Sequence, residues 1–356
     1  MEEMLPLFDL PTTRPRPAKT TPTPTAGRPE TSTPRPVATP PESPDAPAAG
    51  TSTRWMLPPA HPDAAVRRLA EAVTETWHGH HISGRIELPL SALAAFAWLG
   101  PDAQHAHTVT EDLLGWDTEQ TLAFIRSQWR TFGTLRPDLV NPASPFLLAW
   151  LGEQPLTPKE EKAVHGVVQA ALRADLYALT QPDIRYYVDL FGVTLTLLKA
   201  GGANKAGAAY YSPGSVTDLL VRLLGKVDND SVHEPACGTG GFLRALAAHM
   251  REQGRDPHTV KWAAVDIDEL AIACLSVNVI IWDLGYQVLL GVADVLVEDW
   301  VPKARAMRAE TIAIAQETRR ARALLDVIRA LETPTPDPEA ATSGAPASPT
   351  TKESSL

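Results

Sequence analysis

The sequence predicts an α/β core with an incomplete parallel sheet, preceded by a helical domain and flanked by disordered termini. Three observations carry this. Prolines are numerous, 33 in 356 residues, and they cluster before Trp55 and after Glu332. Between Trp55 and Gly202 the apolar residues recur at helical spacing. From Ser212 onward short apolar runs alternate with helical patterns, the signature of strands joined by helical crossovers. These shifts divide the chain into a Pro/Thr-rich tail (1–54), a mostly helical domain (55–202), an α/β unit (203–300), an amphipathic helix (301–332) and a second tail (333–356).

The tails hold few large apolar residues, so neither can bury enough surface to offset the entropy of folding. Arg14, Arg16, Lys19, Arg28 and Arg35 make the first tail weakly basic, and it reads as a solvated arm. Ahead of it, Met4-Leu5-Pro6-Leu7-Phe8 is similar to the short apolar peptides that bacterial proteins insert into the replication sliding clamp. Such a contact would rest on Leu7 and Phe8 in an apolar pocket at the end of a tether.

In the helical domain, Val66, Leu69, Ala70, Val73 and Trp77 form a stripe over residues 63–77. Similar patterns span 90–99, 110–132 and 158–179, the last opened by Thr157-Pro158 with Glu160 and Glu161. A final helix is expected over 183–199, stopped by Gly201-Gly202. His78, His80 and His81 do not share a helical face, and no thiol or carboxylate completes a ligand set nearby, so they read as loop histidines and not a metal site.

Composition bounds the function. Hydrophobic residues make up 44% of the chain and net charge is -10, which argues against a free-standing, high-affinity grip on DNA. Cys237 and Cys274 form no metal or disulfide spacing, no apolar run reaches membrane-spanning length, and the acidic start lacks a signal-peptide n-region. A soluble, cytoplasmic protein without a membrane segment is expected.

The strongest chemical signal is Val232-His233-Glu234-Pro235-Ala236-Cys237-Gly238-Thr239-Gly240-Gly241-Phe242-Leu243. A short strand ends at Glu234, a glycine turn follows, and a helix runs from Gly241 to about Gln253. Glycines let backbone approach a ligand, and the helix start offers free N–H groups and positive potential. A second strand, Trp262-Ala263-Ala264-Val265-Asp266, ends in a carboxylate placed to accept from ribose hydroxyls, with Asp268 capping the next helix. A third strand runs from Val288 and ends at Asp294, whose carboxylate can accept from an adenine amino group.

With these elements in hand, the chain resembles the adenine-N6 DNA methyltransferases that form the modification subunits of type I restriction-modification systems. Gly207-Ala208-Ala209-Tyr210-Tyr211-Ser212-Pro213 is similar to the family's G-x-x-Y-T-P segment, and Glu234 to Leu243 to its D-P-A-C-G-S-G-G-F-L. Asp266, Asn278 and Gly285 match the acid, helix Asn and glycine stop that follow, and Ala293-Asp294-Val295-Leu296 loosely matches G-D-T-L. Glu234, Ser212 and Ala293 are the departures. The resemblance implies a Rossmann-like core that binds S-adenosyl-L-methionine through Tyr211, Ser212, Pro213, Glu234, Pro235, Ala236, Gly238, Thr239, Gly240, Gly241, Asp266 and Asp294. The helix start would face the donor's methionine end.

One piece of the family pattern is missing. The N-P-P-F/Y motif that holds and stacks on the flipped adenine should follow Asp294 within about twenty residues, yet Glu298-Asp299-Trp300-Val301-Pro302 leads straight into a helix. Asn141-Pro142-Ala143-Ser144-Pro145-Phe146 lacks the second adjacent proline, places its aromatic too late and reads as a turn. The catalytic residues are therefore unassigned. Two functions follow: participation in DNA adenine methylation with a specificity or completing subunit, or a non-catalytic, cofactor-sensing or DNA-associated scaffold.

Overall fold

The structure is a computed structural model that describes residues 59–82, 84–98, 100–202, 214–225 and 230–332. The tails and the Met4 to Phe8 peptide lie outside the described residues. Along the chain come α1 (Pro62–Gly79), α2 (Glu87–Ala97), α3 (Ala106–Leu114), α4 (Thr118–Leu135), α5 (Ser144–Leu151), α6 (Pro158–Arg173), α7 (Leu176–Leu179), α8 (Pro182–Arg185) and α9 (Leu190–Gly202). Then follow α10 (Gly214–Leu223), β1 (Ser231–Glu234), α11 (Gly241–Glu252), β2 (Lys261–Asp266), α12 (Glu269–Ile281), β3 (Val288–Val292) and α13 (Trp300–Glu332).

Local chemistry explains the boundaries. Thr157 and Asp117 each close a capping box, with Glu160 and Gln120 respectively, so two donors are satisfied reciprocally at the starts of α6 and α4. The Asp117 cap also corrects one expectation. The single apolar pattern over 110–132 is two helices, broken where Gly115, Trp116 and Asp117 turn the chain. The pattern over 158–179 likewise breaks where Asp175 adopts φ 61°. The segment 183–199 divides into α8 and α9, with Asp189 accepting the Gly192 N–H at 2.9 Å at the new start.

The sheet is small. β1, β2 and β3 are parallel in spatial order β1-β2-β3, with Glu234 level with Ala264 and Asp266 level with Val292. Alternation assigns its faces. Trp262, Ala264, Val288 and Leu290 join one core with Trp77, Trp129, Phe191 and most of the buried helical residues. Ala263, Val265 and Leu289 face the other way, onto Trp300 and Ala304 of α13. Helices and sheet thus share one continuous apolar interior. β3 stops at Val292, two residues short of the expected Asp294, because the chain there turns, with the Val297 and Glu298 amides donating to the Asp294 carbonyl. β1 pairs only with β2 among the described residues, so its outer edge carries no strand.

Long-range polar contacts fasten the helices to the sheet loops. The Arg136 guanidinium grips Asp138 with two bonds, 3.0 and 2.8 Å, and donates to the Gly285 carbonyl at 3.2 Å. Arg251 of α11 donates to the Trp282 and Asp283 carbonyls at the end of α12, and lies 4.0 Å over the Tyr186 ring. Gly291 matters for a steric reason: a Cβ there would overlap the Trp300 ring. Gly291→Ala is expected to destabilise the fold by about 1–3 kcal/mol through overpacking. Urea denaturation should show a lower midpoint at unchanged m-value.

Candidate functional site

Parallel strands deliver their carboxyl ends to one edge of the sheet, and this edge gathers most of the described residues singled out from the sequence. Glu234 ends β1 and Asp266 ends β2. Asp294 follows β3 in a turn, its carboxylate accepting the Leu296 N–H at 3.0 Å. Pro235 and Ala236 are exposed in the loop after β1, and Cys237 is tied back by its N–H to the Val265 carbonyl at 3.1 Å. Tyr211, Ser212 and Pro213 lie outside the described residues.

The glycine loop is held from three sides. Asp266 accepts the Gly238 N–H at 2.7 Å and the Asp268 N–H at 2.9 Å, so one carboxylate braces two loops. Each of its oxygens keeps a further lone pair for a ligand. Gly238 has φ +53° and faces open space where a side chain would stand. Gly240 has φ +90°, and a Cβ there would overlap Leu275, which explains the demand for glycine. Thr239 is buried; its hydroxyl donates to Asp189 at 2.8 Å, and its carbonyl accepts from the Asn278 amide at 3.0 Å.

Asp189 was not expected from sequence. Its side chain is buried and receives the Gly192 N–H at 2.9 Å, the Thr239 hydroxyl and, at 3.4 Å, the Asn278 amide. Burial pushes its carboxyl up, while these donors and the nearby Arg244 pull it down. Asn278, which entered as a family-pattern residue, has a structural role: it joins α12 to the glycine loop. The Lys199–Asp268 ion pair adds a link from α9 to the start of α12. Asp268 caps α12 as expected, accepting from Leu270 and Ala271. A sequence-local signal for Asp189 is absent, since its partners come from 50 and 89 residues away.

Electrostatics sharpen the site. Burial, with the Asp266 charge as a second cause, pushes the Glu234 carboxyl up to about 7. Its Oε2 is buried without a hydrogen-bond partner. Such an orphan at the rim of an open loop fits a ligand-borne donor. The Cys237 thiol is pushed up by burial, then by Asp266 and Glu234, so it is no thiolate nucleophile at neutral pH. Flanking the carboxylates, Ile267 is 72% exposed and Leu296 is 89% exposed, apolar surface placed where a flat heteroaromatic ring could be covered.

The upstream Asn-Pro segment goes elsewhere. Asn141, Pro142 and Pro145 line a cleft with Leu290, Gly291, Val292 and Trp300 of β3 and α13. Phe146 is fully buried, 5.5 Å from Trp129, and cannot stack on a base. His78 lies in the last turn of α1, not in a loop as expected, while His80 caps the helix and His81 turns the chain away from it.

Residues 189–314 match the model of the N-6 DNA Methylase family, from Asp189 through the glycine loop and sheet into α13. This segment is similar to the N-6 DNA methylases. A stretch of 78 residues is 34% identical to the Type I restriction enzyme MjaIX methylase subunit of Methanocaldococcus jannaschii. That stretch is 22% of this chain and spans 14% of that relative's length.

The Glu234 shift carries a pH signature. A carboxyl raised from 4.5 to about 7 in the fold keeps its proton while the unfolded chain loses it. Its contribution is therefore full below about pH 4.5 and falls as pH rises toward 7. Glu234→Gln should leave stability near pH 4.5 unchanged and raise it at pH 8 by roughly 1–3 kcal/mol. Urea midpoints at the two pH values check this.

Proposed function

We propose that the chain binds S-adenosyl-L-methionine at the carboxyl edge of its sheet, in a Rossmann-like half-core. It would thereby contribute the donor half of a DNA adenine-N6 methyltransferase of the restriction-modification type. The observation that carries this reading is the convergence of Glu234, Asp266, Asp294 and the glycine loop on one sheet edge, with the orphaned Glu234 Oε2 among them. When bound, the cofactor supplies an electrophilic methyl group.

The chain's own residues then have separate tasks. Glu234, ionised, accepts from the methionine ammonium. Gly238 leaves room beside the first turn of α11, Thr239, Gly240 and Gly241 set the loop's course into it, and the turn's N–H groups and dipole favour an anionic group. Asp266 keeps the loop in place and offers its spare lone pairs to the ribose hydroxyls. Asp294 accepts from the adenine amino group, with Ile267 and Leu296 covering the ring. Pro235 and Ala236 shape the turn, and Tyr211, Ser212 and Pro213, which lie outside the described residues, are assigned to the cofactor by the family resemblance alone. No residue is assigned to the DNA base.

The base-holding half is proposed to come from a partner chain. In the family resemblance the acceptor motif ends a further strand, and the outer edge of β1 carries none among the described residues. A specificity subunit would supply DNA recognition. The missing motif equally favours a second reading, a catalytically inactive scaffold that senses the cofactor. Both readings need cofactor binding. No described helix is long and apolar enough to cross a membrane. We place the action in the cytoplasm, where Cys237 and Cys274 remain free thiols. Met4 to Phe8 stays a proposed clamp contact.

Calorimetry with S-adenosyl-L-methionine tests the reading, and absence of any binding would sink it. Asp266→Ala should weaken binding at least about tenfold, through lost ribose contacts and a released loop. Affinity of the natural chain should rise as pH climbs through about 7, because the cationic donor favours ionised Glu234, and Glu234→Gln should flatten that rise. With radiolabelled cofactor and mixed genomic DNA, the purified chain alone should transfer no methyl group. Incorporation that Asp266→Ala abolishes would overturn both the partner requirement and the scaffold reading.

A further inference from the structure

The outer flank of β1 carries three features that fit one occupant. The first is on α10. Val216, Leu219, Leu220 and Leu223 recur at helical spacing along one side and are between 45% and 74% exposed. Thr217 and Val221 form the buried side, against α11. α11 lies over the sheet with α12 on one flank, where Arg251 meets the end of α12. α10 lies on the other flank: the buried Arg244 donates to Asp218 at 2.7 Å, and Arg222 to Glu252 at 3.0 Å. Since α12 crosses from β2 to β3, that other flank is the side of β1. The apolar stripe thus faces away from α11, beyond the last strand.

The second feature is the strand itself. The Lys261 N–H donates to the Asp230 carbonyl at 2.9 Å. Backbone groups of successive strand residues alternate in direction, so Ser231 and His233 point their N–H and C=O away from β2. β1 also has the burial of an edge: Val232 is half-buried and His233 exposed, whereas Trp262 to Val265 of β2 are buried. A parallel strand covered by crossover helices is normally buried on both faces.

The third feature lies across the sheet. Lys303 and Met307 of α13 line the cleft beside β3, and Val301 packs on the sheet. Arg305 stands one turn after Val301 and two residues from Lys303, which turns it from the β3 cleft toward β1. Its Nε and Nη2 are buried without a hydrogen-bond partner among the described residues. Guanidinium nitrogens in that state call for an acceptor from outside.

We propose, on the partner reading above, that this flank docks the completing chain, which adds a strand to β1, lays apolar side chains on α10 and brings a carboxylate or carbonyl to Arg305. Side chains of a strand alternate between faces, so one row of the added strand meets the α10 side and the next row meets Arg305. Charge decides against a second copy of this chain in the same place. Across a two-fold axis it would set another Arg305 on the same face, cation to cation, and supply no acceptor.

Photo-cross-linking in the source cells tests this, with the full chain carrying p-benzoylphenylalanine at Leu219 on α10, at His233 on β1, or at the exposed Leu148 on α5 as a control. Leu219 and His233 should cross-link to one and the same other chain, whose sequence, read by mass spectrometry, carries Asn-Pro-Pro-Phe or Asn-Pro-Pro-Tyr. Leu148 should not reach it. Arg305→Met should leave the urea midpoint of the isolated chain unchanged or higher, since it removes an orphan, and should cut both cross-links at least about tenfold. Undiminished cross-links there would strike Arg305 from the surface. Leu223 replaces Leu219 should that variant misfold. A bond to residues 1–58 or 333–356 of this chain, to a second copy, to two different chains, to a chain without the motif, or to nothing would overturn the proposal. Cross-linking of a motif-bearing chain from Leu148 alone would overturn this surface and leave the partner reading intact, whereas methyl transfer to DNA by the purified chain alone would overturn both.

Discussion

The structure depends on one buried polar junction. Asp189, Thr239 and Asn278 meet where α9, the glycine loop and α12 converge, and each satisfies another's hydrogen bonds. In a low-dielectric interior this matters more by what its loss exposes than by what each bond adds. Removing one member leaves the others unpaired, at about 1–3 kcal/mol for each orphan. The junction also sets the loop's shape. With Thr239 pulled inward, Gly238 and Gly240 take positive φ, and α11 starts at Gly241 directly after the loop. Asp266 locks the same loop from the opposite side. A ligand arriving there meets preorganised backbone.

The three-stranded sheet is small for an α/β unit, and its stability comes from outside it. The helical core covers one face through Trp262 and Leu290, while Trp300 and Ala304 of α13 cover the other. This division leaves the carboxyl edge open and, among the described residues, the outer edge of β1 without a strand. The carboxylates proposed to face the cofactor at this edge end β1 and β2 or follow β3 in its turn, so the donor half needs no further strand to be built. Under the proposed function, a base-holding half would sit beside β1, where no strand lies among the described residues.

Much of this was legible in the sequence where the physics is local. The strands ending at Glu234 and Asp266, the glycine turn, and the caps at Thr157 and Asp268 depend on neighbours within a few residues, and they stand where expected. The helix break at Asp117 was hidden, because an apolar stripe continues across a break when both helices bury the same side. Asp189 and Arg244 were hidden for another reason. Their meaning comes from partners on distant elements and from burial, and neither carries a mark in the sequence around it. Phe146 shows the converse: a motif-like spelling around Asn141 dissolved once its aromatic proved to be core.

Hydrogen–deuterium exchange of the full chain, with and without S-adenosyl-L-methionine, tests the central claim most directly. The account predicts slowed exchange in the segments covering residues 234–241, 266–268 and 294–297, which meet at the carboxyl edge of the sheet. Unchanged exchange in all three segments at saturating cofactor would contradict it, as would protection confined to the cleft beside Asn141 and Trp300.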